Sequence, residues 1–131
     1  MYKWIAVAVG GALGSVARHG VNVVVHQAWP PLRFPLGTAV VNILGCCVIG
    51  ALAGLVATGR LPMRTTWREF VFVGILGGFT TFSAFSLDTI TLVRSGDGSQ
   101  AFLNVLLQVL CGLAAVHFGF IVVERFGVVT R

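Results

Sequence analysis

The chain has 131 residues, of which 56% are hydrophobic and only 10% charged, with a mean hydropathy of +0.94. Soluble domains average about 25% charged residues, so little of this chain is left for a water-soluble domain and the bilayer is its natural solvent. Nine Lys and Arg residues give a net charge of +5, yet they sit almost entirely at the ends of apolar stretches while the aromatics lie inside apolar runs, which speaks against a nucleic-acid-binding surface.

A helix needs about 20 residues at about 1.5 Å each to cross a hydrocarbon core of about 30 Å. Four stretches meet that need, over residues 4–25, 35–58, 70–93 and 101–123. They predict an all-α integral membrane protein with 1–131 as a single four-helix transmembrane domain.

The first stretch opens like a secretory signal, with Ala12-Leu13-Gly14 as a small-residue cleavage site. It runs on past Arg18 to Val25, however, and carries paired glycines, which suits a retained and packed helix. Small residues recur at helical spacing as Gly10/Gly14, Gly11/Ser15, Gly50/Gly54 and Gly74/Gly78. Such pairs let helix backbones approach closely, either within one chain or between two. A Trp-Pro-Pro segment around Trp29, ending at Pro31, marks the loop that follows.

In the second stretch Asn42 places an amide deep in the membrane, with Thr38 one turn earlier. Polar groups at that depth are costly. An amide suits an anion that must shed water, because it donates hydrogen bonds without a full charge that would trap the ion; an interhelical hydrogen bond explains it equally well. A basic loop with Arg60, Arg64 and Arg68 follows.

The third stretch is the most informative: Gly74-Ile-Leu-Gly-Gly-Phe-Thr-Thr-Phe-Ser-Ala-Phe-Ser-Leu-Asp88. Two adjacent glycines and two β-branched threonines near its middle predict a helix broken at midspan. An opened turn there needs a partner that lipid cannot supply, such as a cation at freed carbonyls or an anion at freed amides and hydroxyls; the alternative is a helix whose small residues pack against its neighbours and whose hydroxyls bond back to the preceding turn. Phe82 and Phe85, three apart, share a face; they are lipid-facing, or they offer their positive ring edges to a small anion.

A Gly/Ser/Asp turn over residues 95–100 leads to the fourth stretch, with Asn104, Gln108 and Gly112. Cys46, Cys47 and Cys111 lack Cys-x-x-Cys spacing and read as small hydrophobes, neither metal ligands nor a disulfide. His19, His26 and His117 lie near stretch ends or on apolar faces, and no nucleophile, base and orienting group occur together, so an enzyme is not expected.

The residues Gly10-Gly11-x-x-Gly14-x-x-x-Arg18, Pro35-x-Gly37-Thr38-x-x-x-Asn42-x-x-Gly45 and, above all, Gly77-Gly78-Phe79-Thr80-Thr81-Phe82-Ser83-Ala84-Phe85-Ser86 resemble the fluoride-specific channels, the Fluc or CrcB family. The resemblance implies an antiparallel, dual-topology homodimer in the bacterial inner membrane that passively exports fluoride through two pores. It also implies a structural sodium ion at the dimer centre on the backbone carbonyls of Gly77 and Thr80. Asn42, Phe82 and Phe85 resemble residues of the fluoride path, with Thr38, Thr81 and Ser83 as hydroxyl candidates and Arg18 as the basic residue at the entrance. In the fourth stretch the chain departs from the family: Asn104, Gln108 and Gly112 stand where a Tyr and two Ser are usual. Asp88 stands where a Glu is usual, and its role is open.

Charge placement adds a second departure. With Met1 cytoplasmic, that side holds Lys3, Arg60, Arg64, Arg68, Arg125 and Arg131, against Arg33, Arg94 and Arg18 toward the other, which favours cytoplasmic termini. Pairing with an oppositely oriented relative, as a heterodimer, is the alternative to a homodimer. A small dimeric multidrug-type exporter and a non-transporting scaffold remain rival readings, but the exporter would need a membrane-embedded carboxylate that the first stretch lacks.

Overall fold

The computed structural model describes residues 1–30 and 33–126, all of them in helices or short connections; Pro31 and Arg131 of the sequence reading lie outside the described residues. Helix α1 spans Tyr2–Ala28 and α2 spans Leu36–Ala57. After a connection over residues 58–64 comes an uninterrupted run of helical segments: α3, Thr65–Arg68; a π-helical stretch, Glu69–Leu76; and α4, Gly77–Phe79. After two extended residues come α5, Phe82–Arg94, and α6, Gly98–Phe126. Three lengths, Leu36–Ala57, Thr65–Arg94 and Gly98–Arg125, are long and apolar enough to cross a membrane. The build is that of an integral membrane protein. Helix α1, at 27 residues, is as long but more polar, because Lys3, Arg18, His19 and His26 fall on it.

Whereas α2 lies within its apolar stretch, helix α1, the run from α3 to α5, and α6 extend a few residues beyond theirs. There the chain is tied by polar links: Lys3 Nζ lies 3.4 Å from Glu69 Oε1, Arg33 Nη1 lies 3.5 Å from Asp97 Oδ2, and Arg60 Nη1 donates to the Val123 carbonyl in the last turns of α6 at 2.6 Å. A basic side chain on carbonyls near a helix C-terminus satisfies groups the helix leaves open.

Helix packing follows the small residues. A Cβ on Gly10 would stand 2.5 Å from the Phe70 carbonyl oxygen, one on Gly78 would stand 2.5 Å from that of Gly11, and one on Gly14 would overlap the Ile75 carbonyl. Helix α1 is thereby pressed against the π-helical stretch and α4. On the other side of the molecule Gly50 meets the Val116 carbonyl and Gly119 meets that of Cys47, joining α2 to α6. The Gly10/Gly14, Gly74/Gly78 and Gly50/Gly54 pairs therefore serve contact between helices of one chain. Lipid removes the hydrophobic drive for helix association, so close backbone approach and polar contacts must replace it. The interior reflects this: few large apolar side chains are buried, whereas Asn104 is 0% exposed and residues such as Leu113 and Phe118 face outward.

Gly14→Ala is expected to abolish a monodisperse, folded protein in detergent, because the methyl meets backbone that cannot yield. Gly20→Ala, whose Cβ would meet nothing within 4 Å, is expected to leave the elution profile unchanged. Normal behaviour of both variants would contradict this packing.

Candidate functional site

The backbone leaves the helix at Thr80 (ψ 159°) and Thr81 (φ −155°, ψ 115°). Each threonine terminates one side. The Thr80 hydroxyl donates to the Leu76 carbonyl at 2.9 Å, closing α4, and the Thr81 hydroxyl accepts from the Ala84 amide at 3.2 Å, an N-cap for α5. Extended backbone at this depth still leaves Thr81 with an amide and a carbonyl to satisfy.

Asn42 of α2 takes both. Its Oδ1 accepts from the Thr81 amide at 2.9 Å and its Nδ2 donates to the Thr81 carbonyl at 3.1 Å. In a continuous helix the Thr81 amide would bond the Gly77 carbonyl; here that carbonyl has lost its helical donor.

Backbone groups have fixed polarity, so this pairing sets the orientation of the Asn42 amide and everything bonded to it. The second Asn42 Nδ2 proton goes to Gln108 Oε1 at 2.7 Å. Gln108 Nε2 then donates to Asn104 Oδ1 at 2.8 Å, Asn104 Nδ2 donates to Thr89 Oγ1 at 2.9 Å, and the Thr89 hydroxyl donates to the Phe85 carbonyl at 2.8 Å. One directional relay thus runs from α2 through α6 to α5. Of the two roles open to Asn42 from the sequence, anion donor or interhelical hydrogen bond, the single chain displays the second: both of its protons are engaged by groups outside α2.

A cavity of about 370 Å³ adjoins this relay. Asn42, Thr81, Phe82, Phe85 and Gln108 line it, together with the two residues expected to offer carbonyls, Gly77 and Thr80. No charged side chain is among its lining residues. The Phe82 and Phe85 rings stand 5.4 Å apart, tilted by 50°, and Phe82 is 79% exposed in the single chain.

A second cavity, of about 420 Å³, lies toward the ends of α1 and α2 and is polar, with Asn22, His26, Arg33 and Asp88 in its lining. Thr38 belongs here. Its hydroxyl donates to Asp88 Oδ2 at 2.7 Å, so it is separated from Asn42 despite being one turn away, and Asp88 gains its partner. Ser83 is exposed and lies 3.1 Å from the Thr81 hydroxyl. Arg18 is half-buried on α1, where its carbonyl accepts from Asn22 at 3.1 Å. Neither Ser83 nor Arg18 lines either cavity.

The likeness to known proteins is extensive. A family model described as CrcB-like protein, Camphor Resistance (CrcB), matches residues 5–120. The chain belongs to the CrcB family. It is 46% identical over 122 residues, 92% of each chain, to the fluoride-specific ion channel FluC of Opitutus terrae. It is 48% identical over 119 residues to the protein of that name from Paracoccus denitrificans, covering 90% of this chain and 91% of that one. The fluoride-specific ion channel FluC of Saccharophagus degradans is 37% identical over 124 residues, 93% of this chain and 90% of its own.

Within this CrcB-family chain, sequence reasoning missed Thr89 and treated Asn104 and Gln108 only as departures. Their i, i+4 spacing on one helix face was a visible signal; the link from Gln108 to Asn42, 66 residues away, was not. Asn42→Asp keeps the acceptor for the Thr81 amide but turns an oxygen toward two acceptors, Thr81 O and Gln108 Oε1. It is expected to destabilise the folded protein by about 2–4 kcal/mol, read as a lowered thermal midpoint in detergent. An unchanged midpoint would contradict the pairing.

Proposed function

We propose that this chain is a fluoride-selective channel that lets fluoride leave the cytoplasm passively. The cavity at Asn42, Phe82 and Phe85 carries the reading, together with relatives that are fluoride-specific channels along nearly their whole length. Amides, hydroxyls and the positive edges of phenyl rings suit a small, strongly hydrated anion. With no charge in that lining, the ion is held weakly enough to leave again.

In this reading four helices cross the membrane: α1, α2, the run from α3 to α5 interrupted at Thr80 and Thr81 near midspan, and α6. The cavity is open at the side of a single chain, where Phe82 is exposed, and an ion cannot travel along lipid. A second, antiparallel copy closes it. The freed Gly77 carbonyl and that of Thr80 are hard oxygen donors of the kind a sodium ion takes, and two chains would offer four. The polar cavity with Arg33, His26 and Asp88 serves as the aqueous approach. Asp88 bonds Thr38 within that cavity, a setting unlike the isolated carboxylate that a proton-coupled exporter needs.

Purified protein in liposomes should release fluoride rapidly and chloride at background. Phe82→Ile and Phe85→Ile are expected to slow fluoride by about three- to tenfold, the rate equivalent of about 1 kcal/mol, with an unchanged elution profile. Equal release of both anions, or no release in sodium-containing buffer, would overturn the proposal.

A further inference from the structure

The relay leaves Asn42 without a free amide proton, although Asn42 faces the uncharged cavity. One of its two donated bonds is fixed. The proton on the Thr81 carbonyl belongs to a two-point pairing with backbone, and releasing it would leave that carbonyl unpaired where the helix is interrupted. The other is held by a side chain. Gln108 Oε1 sits 2.7 Å from Asn42 Nδ2, on a different helix and in the cavity lining. That oxygen occupies the position an anion bonded to Asn42 would take.

The far end of the Gln108 amide is anchored. Its Nε2 donates to Asn104 Oδ1 at 2.8 Å, and Asn104 is fully buried one turn earlier on α6. The second Nε2 proton has no protein acceptor among the described residues. A carboxamide held at its nitrogen by Asn104 and at its oxygen by Asn42 alone can turn about the Asn104 anchor, withdrawing Oε1 from Asn42. A hydrogen bond to an ion is about twice as strong as one between neutral groups, so an arriving anion can displace the neutral Gln108 oxygen.

We propose that the Gln108 carboxamide oxygen is a built-in stand-in for the anion, occupying the Asn42 donor when no ion is present and yielding it when fluoride enters. The inference rests on the fluoride reading above. Its consequence is twofold: the donor is never left unpaired in a low-dielectric cavity, and the ion binds against a competitor, which weakens it and speeds its release.

Gln108→Leu keeps the bulk and removes the competing oxygen. The fluoride concentration giving half-maximal flux in liposomes is expected to fall about three- to tenfold, the equivalent of one net hydrogen bond. Gln108→Glu, which holds Asn42 with a negative charge, is expected to raise it. In wild-type protein labelled with ¹⁵N at side-chain amides, fluoride should shift the Asn42 Nδ2 and Gln108 Nε2 resonances together, and chloride should shift neither. The wild-type measurement stands even where a variant fails to fold. Fluoride shifting Asn42 alone or neither resonance, or a half-maximal concentration unmoved or raised in Gln108→Leu, overturns the stand-in. Absence of fluoride flux from the wild type instead overturns the channel reading beneath it.

Discussion

Hydrocarbon offers no hydrogen bonds, so two residues that leave a helix deep in an apolar stretch must find every partner within the protein. Asn42 supplies them for Thr81, donating and accepting at once. Because the amide and carbonyl of Thr81 cannot exchange roles, the orientation of Asn42 is fixed, and with it the direction of each later bond through Gln108, Asn104 and Thr89. The same contact diverts the Thr81 amide from the Gly77 carbonyl. One side chain thus shapes both the polar wall of the cavity and the carbonyls beside it.

That contact depends in turn on where α2 and α4 are held. Glycines on α1 fit against the π-helical stretch and against Gly78, and glycines on α2 and α6 fit against each other's backbone. Burial of large apolar side chains contributes little, as expected where lipid is as apolar as the interior. Position is set by backbone contact, which is less tolerant than side-chain packing: a single methyl at Gly14 has nowhere to go. The fully buried Asn104 then adds a polar tie between α6 and α5.

The all-helical membrane build was legible in composition and hydropathy, because apolar runs of spanning length leave few alternatives. The family was legible in the Gly77–Ser86 motif, and the motif residues Asn42, Thr81, Phe82 and Phe85 do meet around one cavity. Other features left no local trace. The π-helical winding of Glu69–Leu76 lies in a run that is apolar on nearly every face, so no periodicity reports it. Thr38 is one turn from Asn42, yet its partner Asp88 lies 50 residues away, and neither spacing nor periodicity along the chain reports such pairings. The engagement of both Asn42 protons has the same cause, since its second acceptor is on α6.

Selective passage of an anion along this uncharged cavity is read most directly from the reversal potential of the purified protein in a planar bilayer, with a tenfold fluoride gradient and symmetrical chloride. The predicted value is the fluoride equilibrium potential, about 59 mV for a tenfold gradient of a singly charged ion. A reversal potential near zero, or no current, would contradict the account.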